Sequence, residues 1–63
     1  MTQYPYAARV TTASGAIVDC TSRGSSAGAA LVNLRRARRG DWQRIEVGLR
    51  VAGRLDVLRQ EDK

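Results

Sequence analysis

The sequence predicts an α+β fold: a two-layer sandwich in the order β-β-α-β-β, with one helix packed on one face of an antiparallel sheet. Three observations predict it. A pair of short β-branched runs flanks Ala13-Ser14-Gly15, apolar residues recur at helical spacing between Ala27 and Leu34, and a second alternating run spans Ile45 to Val57.

The first hairpin takes Tyr6 to Thr12 and Ala16 to Thr21 as its strands. A two-residue loop would set Val10 opposite Asp19 and mix apolar with polar residues on both faces. A three-residue loop sets Val10 opposite Val18, Ala8 opposite Cys20, Arg9 opposite Asp19 and Thr11 opposite Ile17. Cross-strand neighbours share a face, so this register gives one apolar face and an ion pair on the other. Gly15 then falls where such a loop wants a left-handed residue. Tyr4-Pro5-Tyr6, ahead of the hairpin, reads either as an extended arm or as an end packed back on the sheet edge.

The helix starts from Ser25 as N-cap, with Ser22 as the alternative, and stops at Gly40 as the C′ residue. Ala27, Ala30, Leu31 and Leu34 form its buried stripe, extended by Ala37. The stripe is thin because half of it is alanine.

In the last segment, Ile45, Val47, Leu49 and Val51 alternate with Arg44, Glu46, Gly48 and Arg50, and Leu55 and Val57 continue after Ala52-Gly53-Arg54. A three-residue loop pairs Val51 with Leu55, Leu49 with Val57 and Arg50 with Asp56. The expected core therefore includes Val18, Cys20, Leu49, Val51, Leu55 and Val57 beside Ala8, Val10, Leu31, Leu34, Ile45 and Val47. Asp56, Leu58 and, by parity, Trp42 fall on the open face, although a large aromatic in so small a chain also suits the core beneath the helix end. Glu61-Asp62-Lys63 is expected to fray.

A chain of 63 residues allows one domain, expected over residues 1–63, and a small core. The usual staples are missing: Cys20 has no second cysteine to pair with, and there is no histidine for a zinc site. Oligomerisation, and with it a homodimer, is the staple that remains. No cofactor is expected. No apolar run approaches the ~20 residues of a membrane span, so no membrane partner is expected either. The lone cysteine and a start unlike a signal peptide give a cytoplasmic expectation.

Catalysis is not expected. No histidine can act as a base, no base stands beside a Ser or Cys nucleophile, and the acids are scattered singly among arginines. Charge carries more information. The net +5 is uneven, with +1 over residues 1–34 and nine bases against five acids over residues 35–63. Ten of the eleven bases are arginine, the better group for bidentate contact with phosphate or carboxylate.

Four arginines crowd the helix end: Arg35, Arg36, Arg38 and Arg39. With Trp42, Arg44 and Arg50 they form the expected binding set for nucleic acid, DNA or RNA, or for an acidic protein surface. The plainer account is a helix end that tolerates cations and keeps the protein soluble. Likewise Ser22-Arg23-Gly24-Ser25-Ser26 could hold an anion at the helix start, but simple capping accounts for it. Two functions follow as expectations. The first is a non-catalytic module of the kind carried by phages or mobile elements, contacting nucleic-acid phosphates. The alternative is a phage-type inhibitor or adaptor that binds a host protein or nucleoprotein complex, such as a CRISPR effector.

Overall fold

The first hairpin forms in the expected register. The structure, a computed structural model, describes residues 2–63. Strands β1 (Tyr4–Thr11) and β2 (Ile17–Gly24) pair with Val10 opposite Val18 and Arg9 opposite Asp19. The Thr12 amide donates to the Ala16 carbonyl at 2.8 Å, closing the three-residue loop, and Gly15 takes the left-handed φ of 93°. Both strands run further than the sequence suggests, to Tyr4 opposite Gly24, so Tyr4-Pro5-Tyr6 is part of β1. Pro5 fits there because it lies beyond Ala7–Gly48, the last β1–β3 pair, where no strand awaits its missing N–H.

Helix α1 (Ala27–Arg38) starts one residue later than expected. Ser26, not Ser25, is the N-cap, and its hydroxyl accepts from the Ala29 amide at 3.2 Å. Ser22 instead turns inward and donates to the Ala30 carbonyl at 2.8 Å. That bond ties α1 to β2 where the two come closest. At Gly24 a Cβ would collide with the backbone of Ala29 and Ala30, so only glycine permits the approach. The far end also differs. Arg39 itself takes the left-handed position at φ 52°, its amide bonding to the Arg35 carbonyl, and Gly40 follows at φ 86°.

The second hairpin departs from its expected register. β3 (Arg44–Val51) and β4 (Arg54–Asp62) meet at a two-residue turn, Ala52-Gly53, with both residues at positive φ. Val51 pairs with Arg54, Arg50 with Leu55, Leu49 with Asp56 and Gly48 with Val57. A bulge then inserts Leu58, and beyond it Val47 pairs with Arg59 and Ile45 with Glu61. The bulge restores the register that a three-residue loop would have given, but only in the half nearer the helix. In the far half the shorter turn moves Asp56 to the helix side and Leu55 and Val57 to the open side. Gly48 is required here, because a Cβ would collide with the Asp56 carbonyl oxygen.

The sheet order is β2-β1-β3-β4, all antiparallel, with α1 across one face. The core is Ala8, Val10, Ala30, Leu31, Leu34, Trp42, Ile45 and Val47. For Trp42 the structure decides against strand parity and for the core position that its size favours: it is 5% exposed, folded in under the helix end. Val18, Leu49, Val51 and Val57, expected in the core, are exposed, and Cys20 and Leu55 are half-buried. Face assignment is a local property of a strand, whereas cover depends on whether the helix reaches that far. The expected fraying of the tail also fails. Glu61 and Asp62 belong to β4, and the Lys63 amide donates to the Gln43 carbonyl at 2.9 Å.

Candidate functional site

One end of the molecule gathers most of its charge. The last turn of α1, the link from α1 to β3, the β1–β2 loop and the end of β4 all meet there. Asp41 accepts from the Ala13 amide at 3.2 Å, and Gln43 donates through Nε2 to the Ala13 carbonyl at 2.8 Å, so the two loops are stitched together. Trp42 packs beneath them, with Lys63 Nζ 5.5 Å from its ring centroid and bonded to the Gly40 carbonyl at 2.7 Å.

Six bases stand at this end: Arg35, Arg36, Arg38, Arg39, Arg44 and Lys63. Three acids accompany them, Asp41, Glu61 and Asp62, so the end holds a net +3 of the chain's +5. Arg35 Nη1 reaches both carboxylate oxygens of Glu61, at 2.9 and 3.0 Å. Arg38 bonds to the Asp41 carboxylate at 3.0 Å, and Arg44 to Asp62 at 2.7 Å. The Arg44 guanidinium pulls the Asp62 carboxyl below its ordinary value through that hydrogen bond. Arg36 and Arg39 have no acid partner among the described residues, and both are exposed. Arg36 lies in the last turn of α1 and Arg39 at its left-handed cap, three residues further along the chain.

Exposed ion pairs contribute only ~0–1 kcal/mol each. Arg35, Arg38 and Arg44 are therefore held loosely enough to turn toward a stronger anion. The backbone at this end offers no help, since a helix C-terminus presents carbonyls and repels anions. Any anion here is held by side chains alone. A shallow open depression beside the cluster is lined by Thr11, Gln43, Arg44, Asp62 and Lys63.

The expected set is thus only partly assembled. Arg35, Arg36, Arg38, Arg39 and Arg44 come together. Trp42 is adjacent, but its ring is covered and offers no stacking surface. Arg50 lies towards the far end of β3, opposite Leu55 and away from the cluster. Lys63 was missed by sequence reasoning. Its only signal was a cation next to two acids at the tail, which has no bearing on position until β4 places it.

No group of three His, Cys, Asp or Glu side chains that could hold a metal ion occurs among the described residues. The Cys20 thiol is pushed up by burial, with Arg38 partly opposing, which makes it a poor nucleophile at neutral pH. No described helix is long and apolar enough to cross a membrane. No protein-family model, curated protein sequence or solved structure matches the chain.

Proposed function

We propose that this is a small non-catalytic binding module that contacts nucleic-acid phosphates through the end of α1. The observation that carries the reading is the pair Arg36 and Arg39, exposed and free of acid partners within a cluster of net +3. Arg35 and Lys63 flank the pair, and the ion-paired Arg38 and Arg44 can be recruited. With Trp42 covered, contact is to backbone phosphates and carries no base readout.

The test is fluorescence anisotropy with short duplex DNA, single-stranded DNA and RNA across a range of salt. Binding should weaken steeply with salt, and an Arg36→Ala/Arg39→Ala variant should flatten the log–log salt slope by roughly 2. Absence of binding to all three ligands at low salt would overturn the reading. An acidic protein surface would then be the ligand of the same charges, as in the phage-type inhibitor alternative.

A further inference from the structure

We propose that β4 is the docking edge for a second copy of this chain, joined by antiparallel β4–β4 pairing about a two-fold axis between Val57 and Leu58. Both outer strands of the sheet are edges, but they are not equivalent. On β2, the Asn33 side chain donates to the Arg23 carbonyl at 2.9 Å and caps part of the edge from α1. Among the described residues no such cap crosses β4, which runs for nine residues, Arg54–Asp62, with exposed Val57 and Leu58 at its middle.

The charges on β4 fit the same strand reversed. Because of the bulge, Arg54 and Asp56 on one side of it and Arg59 and Glu61 on the other all lie on the helix side of the sheet. With the two-fold between Val57 and Leu58, Arg54 meets the second copy's Glu61 and Asp56 meets its Arg59. Each contact occurs twice. Val57 meets the second copy's Leu58 at the centre. Neighbouring registers fail. Shifting the pairing by one residue sets Asp56 against an apolar Leu58 or open-face Gln60. Shifting it by two sets Arg54 against Arg59, or Asp56 against Glu61. Arg54, Asp56 and Arg59 have no ion-pair partner within their own chain among the described residues, whereas Glu61 already accepts from Arg35 and would be shared between Arg35 and the second copy's Arg54.

A bulge ordinarily discourages edge pairing. Here the axis falls on it, so each strand meets the same irregularity in its partner. Pairing also answers the bare face. A standard interface takes about 800 Å² from each partner, roughly a fifth of this chain's 4126 Å². Strand pairing must therefore be joined by side chains beyond β4. The antiparallel arrangement sets the uncovered far half of one hairpin, with Leu49 and Val51, beside the helix-covered half of the other.

Sedimentation equilibrium of the intact protein, with circular dichroism to confirm folding, tests the register. Wild type should be a dimer at high micromolar concentration. Asp56→Arg and Arg59→Asp each place like charges across the axis and should raise the dimer Kd at least tenfold, an order-of-magnitude expectation. The double variant Asp56→Arg/Arg59→Asp reverses both pairs and should recover most of the affinity. Both sites are exposed, so folding is expected to survive. A wild type that stays monomeric, single variants with unchanged Kd, or a double variant as weak as the singles would each overturn the proposal.

Discussion

The two halves of the β3–β4 hairpin have the same alternating sequence and opposite fates. Ile45 and Val47, in the near half, are fully buried, while Leu49 and Val51, two and four residues further along the same face, are 46% and 55% exposed. The difference lies in the path of α1, which starts against β2 at one end of the sheet and ends beside the last residues of β4 at the other. Through β1, Gly24 and Ser22 stand level with the far half, so there the start of the helix lies over β2, and only its last turns, where Arg35 meets Glu61, reach across to β4 in the near half. Alternation records which residues share a face and is silent on whether anything covers it.

The largest effect that would test this contrast is truncation in each half. Ile45→Ala should cost about 2–5 kcal/mol, a large part of what a chain this size holds in reserve. Val51→Ala, measured in dilute solution, should cost under about 0.5 kcal/mol. Equal losses in urea unfolding would mean the far half is covered even in the monomer.

At the junction between the halves, Gly48→Ala should cost about 1–3 kcal/mol, as overpacked sites do. Its Cβ has nowhere to go while the Asp56 carbonyl sits above it. A neutral result would show that the bulge relaxes freely, and the two registers would no longer be locked together.

A smaller effect of opposite sign is expected at the tip. Ala52 occupies a left-handed position at φ 52°, where asparagine is favoured over alanine. Ala52→Asn should raise stability by about 0.5–1 kcal/mol, seen as a higher Tm. No gain would point to a turn other than the two-residue one.

The smallest effect belongs to the charged end. Asp62 titrates below its ordinary value because Arg44 holds its ionised form. Its contribution is present above the unfolded pKa and is lost as pH falls through the lower folded value. An Arg44→Ala variant should therefore be slightly less stable than wild type at neutral pH, and the difference should shrink below about pH 4 as Asp62 protonates in both. Screening of exposed pairs keeps the change small.

The sequence by itself determined the element order, the first hairpin and the helix stripe. The β1–β2 register was legible because only one loop length segregates apolar Val10 and Val18 from the Arg9–Asp19 pair. The gathering of Arg35, Arg36, Arg38 and Arg39 was legible because a helix end keeps residues close in sequence close in space. Tertiary structure decided the rest. Both registers of β3–β4 segregate residues in part, and the protein uses each over half the strand. The choice rests on the close contact at Gly48 and on a two-residue turn that accepts a strained alanine. Trp42 followed tertiary packing rather than strand parity because it precedes β3, where parity does not reach. Arg50 left the arginine cluster, and Lys63 joined it, because strand direction and pairing set their distance from the helix end. Local spacing fixes what lies within a turn or a hairpin, and only the packing of one element on another fixes what lies between them.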